Sequence, residues 1–169
     1  MEIDHYLKYG GSLSSDQEAL DFLDVYALVT KPILKQGPKL DRMRLLLKKC
    51  GNPQQAYPVV HVAGTSGKGS TAVILSHLLE ASGFHVGLEL SPHFLDIRER
   101  MQIQNRLLVP ERFLSLLNNF LPFLREMGAS RIGLPAYFEL LTAMGYQSFS
   151  EDKADYAVIE TGLGGRFDA

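Results

Sequence analysis

The fold of this chain is decided by the stretch His61-Val62-Ala63-Gly64-Thr65-Ser66-Gly67-Lys68-Gly69-Ser70-Thr71. The stretch begins inside a short apolar, β-branched run, residues 59–63, which predicts a buried strand. It ends where a helical pattern begins, over residues 71–81, and Gly83 closes that pattern. A glycine-rich turn that contains a lysine and joins a strand to a helix is typical of a phosphate-binding loop.

This loop has the chemistry that a phosphate group requires. Its glycines allow consecutive backbone N–H groups to face one anion, and the helix start adds its positive dipole end. We expect Lys68 to reach the β- and γ-phosphates, and Ser70 or Thr71 to offer a hydroxyl to phosphate or Mg²⁺. Gly69 separates the lysine from the hydroxyl, unlike in the common phosphate loop, and an ordinary glycine-rich turn is the alternative interpretation. The residues predicted to bind the nucleotide are Gly64, Thr65, Ser66, Gly67, Lys68, Gly69, Ser70 and Thr71.

The segment before this loop, residues 1–56, is predicted to be helical. Ser15 and Glu18 form a capping-box pattern before the first long helix. Lys31-Pro32 and Gly37-Pro38 are predicted to break that helix and to frame a loop. A second helix follows, and its basic residues are predicted to form a solvated face: Lys39, Arg42, Arg44, Lys48 and Lys49.

The segment after the loop predicts further strands and helices. Strands are expected over 84–90 and 156–159, a hairpin over 101–109, and helices over 110–127 and 137–149. Strands separated by helices predict an α/β fold with a parallel sheet and flanking helices. Continuous apolar strands predict burial on both faces of that sheet.

Composition excludes several classes of protein. The chain has 169 residues and a formal net charge of -2, so no basic field attracts nucleic acid or an acidic membrane. It is 46% hydrophobic and 21% charged, which is ordinary for a globular protein. Its single cysteine, Cys50, rules out an internal disulfide framework. We therefore expect a cytoplasmic protein that binds neither nucleic acid nor membrane, and the oligomeric state stays open.

Two polar residues follow predicted strands and offer oxygen atoms there. Ser91 and Glu160 each lie where a strand ends, as the phosphate loop does. Because ligands of parallel α/β sheets bind outside the carboxyl ends of the strands, the three features are expected to meet at one rim. Mg²⁺ prefers such hard oxygen ligands and takes few from the protein. A turn serine and a capping carboxylate are the alternative interpretations.

Five segments of the chain, in order, resemble the folylpolyglutamate synthase / dihydrofolate synthase family, which belongs with the Mur-type ligases. They are Gly51-Asn52-Pro53-Gln54, His61 to Ser70, Leu90-Ser91-Pro92-His93 with Arg98-Glu99-Arg100, Tyr137-Phe138-Glu139, and Glu160 to Ala169. The resemblance covers about residues 30–169. It implies a P-loop (Mur-ligase-like) ATPase domain over 57–169, incomplete at its carboxyl end, after the helical segment 1–56 and without a carboxy-terminal domain.

The resemblance also implies a reaction, in which ATP phosphorylates the carboxylate of a pteroate or folate substrate and L-glutamate attacks the acyl phosphate. ATP and Mg²⁺ are then the cofactors. Lys68 and Glu160 are expected to be catalytic, and Ser91 and Glu160 to hold Mg²⁺. Substrate contacts are expected from His93, Arg98, Glu139 and Arg166, for which surface ion pairs and a helix-capping carboxylate are the alternatives. Because other parts of the family's site lie beyond residue 169, the chain alone is not expected to ligate.

Two other functions stay open at this point. One is another Mur-type ligase that acts on a cell-wall precursor, against which the Ser-Pro-His and Arg-Glu-Arg segments argue. The other is a nucleotide-binding module without ligase activity. Within the folate branch, the sequence does not distinguish synthesis of dihydrofolate from extension of the polyglutamate tail.

Overall fold

The structure is a computed structural model that describes residues 3–34, 40–165 and 168. The described helices are α1 (Ile3–Leu7), α2 (Asp16–Leu34), α3 (Leu40–Lys49), α4 (Lys68–Ala81), α5 (Pro110–Gly128) and α6 (Tyr137–Glu151). The strands are β1 (Val59–Val62), β2 (Val86–Glu89), β3 (Met101–Ile103), β4 (Arg106–Leu107) and β5 (Tyr156–Glu160). Two short 3₁₀ turns cover Pro53–Gln55 and Ile97–Arg100. None of the described helices is both long and apolar enough to cross a bilayer.

The chain divides into two compact units. The first, the helical unit, consists of Met1–Cys50 and Val109–Met144, and the second, the sheet unit, of Gly51–Leu108 and Gly145–Ala169. The sequence had grouped all residues from 57 onward with the phosphate loop. Residues 109–144 instead join the helical unit, because the apolar face of α5 packs against α1, α2 and α3.

The helical unit has a core of aromatic and aliphatic side chains. Phe22, Leu23 and Tyr26 of α2 are buried, as the helical spacing predicts, and Phe113 and Phe120 of α5 are buried in the same unit. Interactions distant in sequence add to this packing. The Tyr26 hydroxyl donates to the Pro135 carbonyl at 2.7 Å.

Two predictions about the first helices need correction. The helix α2 does not end before Pro32 but continues to Leu34. The proline therefore lies in the last turn, where a missing backbone donor and a clash of the ring disrupt little remaining helix. Arg42 is not part of a solvated face: it is buried, and its Nε donates to the Glu139 carboxylate at 3.1 Å. Lys39 and the predicted Gly37-Pro38 break lie outside the described residues.

The sheet unit contains the predicted α/β core. Its strand order is β1-β5-β2-β3-β4, and β5 pairs in parallel with both β1 and β2. The helix α4 packs on this core, where Ala72 contributes to a buried cluster with Val86, Leu88 and Val158. The sheet is mixed rather than wholly parallel, because the hairpin of β3 and β4 adds two antiparallel strands beside β2.

One strand does not have the burial that its sequence predicts. Val59 and Val60 of β1 are 42% and 36% exposed, whereas the central strands β2 and β5 are almost wholly buried. The reason is position: β1 is at the edge of the sheet formed by the described residues, so a neighbouring strand covers it from one side. An apolar, β-branched run therefore identifies a strand without fixing its place in the sheet.

The predicted hairpin is confirmed, and its turn is fastened to a helix. Gln104 and Asn105 at the turn both have positive φ, of 51° and 53°, which matches the primed turns of tight hairpins. The Asn105 side chain accepts from the Ser76 hydroxyl at 2.7 Å and donates to Glu80, both on α4. These bonds link the antiparallel strands to the helix that follows the phosphate loop.

The close approach of β2 to Phe149 gives a stability prediction. A Cβ at Gly87 would lie 2.5 Å from the Phe149 ring, so Gly87→Ala is expected to lower the free energy of unfolding by about 1–3 kcal/mol. The control is Gly64→Ala, whose Cβ would meet its nearest neighbour at an ordinary 3.7 Å. Urea denaturation measures both, and equal midpoints for the two variants would contradict this view of the packing.

Candidate functional site

The loop between β1 and α4 has the geometry of a helix N-terminus aimed at an anion. The helix begins at Lys68, three residues earlier than the sequence pattern predicts, and Gly67 is its N-cap with a φ of 73°. A side chain at position 67 would be strained at that φ. The early start brings Lys68, Gly69 and Ser70 into the first turn, where N–H groups lack helical partners and the dipole favours negative charge.

The two candidate hydroxyls of the loop differ in their surroundings. The Thr71 hydroxyl donates to the Gly67 carbonyl at 2.8 Å, and the Thr71 backbone N–H donates to the same oxygen at 2.9 Å. Ser70 is exposed and lies in the lining of a cleft. The structure therefore favours Ser70 as the hydroxyl that faces a ligand and gives Thr71 a part in closing the first turn.

A cleft of about 710 Å³ opens beside this loop within the sheet unit. It brings together Lys68, Ser91 and Glu160, which the sequence placed on three different strand ends. The remaining lining comes from the phosphate loop and α4, from the end of β2, and from the segment after it: Gly67, Gly69, Ser70, Val73, Ile74, Leu90, Pro92, Phe94, Glu99 and Gln102. The predicted meeting of the loop with Ser91 and Glu160 is thus present.

Glu160 is buried at the end of β5, between the loop and Ser91. Its Oε2 accepts the Ser91 backbone N–H at 2.9 Å. A Cβ on Gly69 would lie 3.3 Å from Oε2 and 3.4 Å from Oε1 of the same carboxylate. The glycine that interrupts the common loop spacing therefore leaves room for this carboxylate against the first turn of α4.

The segment after Glu160 is hydrogen-bonded to β1. The Thr161 backbone N–H donates to the Val62 carbonyl at 3.0 Å, and the Gly162 N–H donates to the Asp168 carboxylate at 2.6 Å. These bonds fix the loop that leaves the site. Arg166, which the sequence assigned to substrate, lies outside the described residues.

The segment from Ser91 to Arg100 is held by its own charged residues. The peptide bond between Ser91 and Pro92 is cis. The Arg98 guanidinium donates from Nε and Nη2 to the Asp96 carboxylate at 2.9 and 2.6 Å and holds the pKa of Asp96 below its ordinary value. His93 Nδ1 accepts from Arg100 Nε at 3.0 Å. The two predicted substrate residues here, His93 and Arg98, therefore both have partners within the segment.

Glu99 is a residue of the cleft to which the sequence assigned no role. Its carboxylate accepts the backbone N–H groups of Phe94, Leu95 and Asp96 at 2.6, 3.1 and 3.1 Å. These bonds, that of Phe94 first, hold the pKa of Glu99 below its ordinary value. Asp96 and Glu99 complete a capping box at the 3₁₀ turn. The spacing Asp-x-x-Glu is the one sequence signal that could have identified it.

Glu139 lies in the helical unit and is buried there. It accepts from Arg42 Nε at 3.1 Å and from the Ala136 backbone N–H at 2.6 Å. Glu139 is not among the residues that line the cleft beside the phosphate loop. The structure shows Glu139 in a buried ion pair and at the first turn of α6. A contact between Glu139 and substrate stays a prediction.

The donors in the cleft fit a magnesium ion bound to phosphate. The described residues contain no group of three or more His, Cys, Asp or Glu side chains that could hold a metal. Ser91, Ser70 and Glu160 offer two hydroxyls and one carboxylate, all of them hard oxygen ligands. Such a short set suits Mg²⁺, which keeps several waters and takes other ligands from phosphate.

Comparison with known proteins agrees with this geometry. No family model matches the chain. The chain is 36% identical to the dihydrofolate synthase/folylpolyglutamate synthase of Bacillus subtilis over 133 residues, 78% of this chain and 31% of that protein. Solved structures are similar as well, and two examples follow. The Mycobacterium tuberculosis folylpolyglutamate synthase complexed with ADP has a TM-score of 0.74 and 31% identity, over 86% of this chain and 34% of that one. A folylpolyglutamate synthase complex with AMPPCP and folate has a TM-score of 0.79 and 32% identity, over 92% and 37%.

The buried ion pair of the helical unit gives a second stability prediction. We expect Glu139→Ala to lower the free energy of unfolding by about 3–5 kcal/mol, because Arg42 would stay buried without its carboxylate. The double variant Arg42→Met/Glu139→Leu should recover most of that loss, since an apolar pair of similar volume has no charge to compensate. Denaturant unfolding at one pH measures all three proteins. A double variant as unstable as the single one would show that the lost charge partner is not the cause.

Proposed function

We propose that this chain, which belongs to the folylpolyglutamate synthase / dihydrofolate synthase family and corresponds to an amino-terminal portion of its members, supplies the ATP-phosphate-binding part of an ADP-forming ligase. The ligase adds L-glutamate to the carboxylate of a pteroate or folate substrate. The chain spans between 16% and 34% of the length of the curated relatives it matches. The complete reaction is therefore proposed for a protein of the relatives' length, and phosphate binding for this chain.

One observation carries the proposal: the cleft contains Lys68 and Ser70 of the phosphate loop together with Ser91 and Glu160. A cation and a helix N-terminus at one side of a cleft suit a phosphate chain, and a carboxylate with a hydroxyl suits its metal ion. The similar structures with ADP, AMPPCP and folate support nucleotide and folate as the ligands.

The proposed reaction proceeds in two displacements. A carboxylate oxygen of the acceptor attacks the γ-phosphorus of ATP, the bond to the β–γ bridging oxygen breaks, and ADP leaves. The amine of L-glutamate then attacks the acyl carbon, the bond from carbon to the phosphate oxygen breaks, and the amide forms with loss of a proton and of inorganic phosphate. Lys68 and the N–H groups of residues 67–70 hold the phosphates and neutralise charge that spreads over the transferring group.

Magnesium is the proposed partner of the nucleotide. Ser91 and Glu160 would hold it, with Ser70 as a third oxygen donor. When bound, Mg²⁺ neutralises negative charge on the phosphate oxygens. Glu160 keeps its orientation through the Ser91 backbone N–H, which leaves its other lone pairs for the ion or its waters.

The remaining site assignments are proposals as well. His93 and Arg98 lie in a segment next to the cleft lining, and their partners on Arg100 and Asp96 make them supports of that segment as well as candidates for substrate contact. Arg166 and Glu139 stay predictions. So does a cytoplasmic location, which fits a chain with one cysteine.

Binding of ATP to the chain tests the role of the loop. We expect Lys68→Ala to weaken ATP binding in the presence of Mg²⁺ by about 10–100-fold, the size of one hydrogen bond to a charged group. The matched control is Lys48→Ala, an exposed lysine on α3, which should leave affinity unchanged. Isothermal titration calorimetry measures both. Equal affinities for the Lys68 and Lys48 variants would contradict the assignment of the phosphate loop.

The role of Glu160 as a magnesium ligand is tested by a substitution that removes its charge and keeps the shape of its side chain. Glu160→Gln retains an oxygen for the Ser91 N–H but loses the negative charge that a divalent cation prefers. We expect ATP affinity in Mg²⁺ to fall about tenfold, and affinity in EDTA to be unchanged. An equal fall in both conditions would mean that Glu160 supports the loop rather than the metal.

A further inference from the structure

The segment after Ser91 exposes two large apolar side chains beside the cleft. Phe94 is 89% exposed and Leu95 is 95% exposed. Pro92 and Phe94 nevertheless belong to the cleft lining. Side chains so exposed gain little from burial, so packing does not fix where they point. Some other interaction has to set the conformation of their backbone.

That interaction is the Glu99 carboxylate. Three consecutive backbone N–H groups, of Phe94, Leu95 and Asp96, all donate to it. One oxygen, Oε2, accepts from Phe94, and the other, Oε1, accepts from Leu95 and Asp96. A turn whose N–H groups converge on one anion resembles an anion-binding nest, here filled by a side chain of the same segment.

The two arginines beside Glu99 have partners within the segment. Arg98 donates to the Asp96 carboxylate, and Arg100 donates to the Nδ1 atom of the His93 ring. Asp96 also accepts one backbone N–H, that of Arg98, whereas Glu99 accepts three. Glu99 also lines the cleft, so it lies at the same surface as Pro92 and Phe94.

We infer that Glu99 is a positioning residue: its ionised carboxylate holds the backbone of 94–96, and so keeps Pro92 and Phe94 in the cleft wall that receives the acceptor acid. The link to the acceptor rests on the proposed function. The position of Phe94 itself does not. The phosphate loop has its own support in Gly67 and Thr71, so the role of Glu99 concerns the acceptor and not ATP.

The substitution Glu99→Gln removes the charge of the side chain and keeps its shape. Its amide has one oxygen that accepts, and its NH₂ group donates only. It can therefore hold the N–H of Phe94, or those of Leu95 and Asp96, but it cannot hold all three at once. The matched control is Glu111→Gln, because Glu111 is exposed in the first turn of α5 and loses the same single charge.

The first measurement is amide hydrogen exchange on the full chain. In Glu99→Gln we expect exchange at residues 94–96 to accelerate about tenfold, with the strands β2 and β5 unchanged, because opening is local. Glu111→Gln should leave residues 94–96 unchanged. Exchange at 94–96 that is the same in the unmodified chain and in Glu99→Gln would overturn the inference.

The second measurement compares the two ligands. The chain contains seven tyrosines and no tryptophan, so Phe94→Trp places a single tryptophan in the cleft wall, whose emission can be excited apart from that of tyrosine. In that background we expect Glu99→Gln to weaken pteroate binding about fivefold and to change ATP affinity by less than about twofold. Equal weakening of both ligands would overturn the inference. If the unmodified chain binds neither ligand, the proposed function fails, while amide exchange still decides the role of Glu99.

A second variant keeps the Glu99 carboxylate and can be used if Glu99→Gln does not fold. If Glu99→Gln unfolds, Phe94→Ala removes the positioned side chain and loses little buried surface, since Phe94 is 89% exposed. It should weaken pteroate binding by a similar factor and leave ATP affinity unchanged. Unchanged pteroate affinity in Phe94→Ala would overturn the inference.

Discussion

The site depends on one buried carboxylate at the end of a parallel strand. Glu160 lies at the carboxyl end of β5, the strand between β1 and β2. From there it lies beside the first turn of α4 at Gly69 and accepts the backbone N–H of Ser91, after β2. A carboxylate in this place requires that the three strands end at the same level, and the registers of β1 and β2 against β5 provide that. A ligand cation would add a partner to a charge that the fold already holds in position.

The sequence identified the parts of this arrangement that follow from local pattern. The β-branched run before the phosphate loop, the hairpin at Gln104-Asn105 and the central apolar strand β5 each have a signature within a few residues. The convergence of Ser91 and Glu160 was also predictable, because strand ends in a parallel sheet share an edge. These inferences needed only the order of elements and the direction of strands.

The rest depends on which residues meet in space, which a single sequence does not show. Arg42 has the spacing of a solvated helix face, and only the presence of Glu139 from a distant helix makes its burial favourable. The edge position of β1 follows from strand order, which the apolar run does not encode. Glu99 looked like one charge in an Arg-Glu-Arg triplet. Its role depends on a reversal of the backbone that brings three N–H groups to it.

Two glycines of the phosphate loop differ in why they resist replacement. At Gly67 the restriction is conformational, because few residues other than glycine and asparagine adopt a φ of 73°. At Gly69 the restriction is volume, because any Cβ would press on the Glu160 oxygens at 3.3–3.4 Å. A library of random substitutions would therefore show different tolerance at the two positions. Position 67 would accept a small set of residues that adopt left-handed backbone. At position 69 a side chain requires the Glu160 carboxylate to move by a few tenths of an ångström, so tolerance there would depend on which residue stands at position 160.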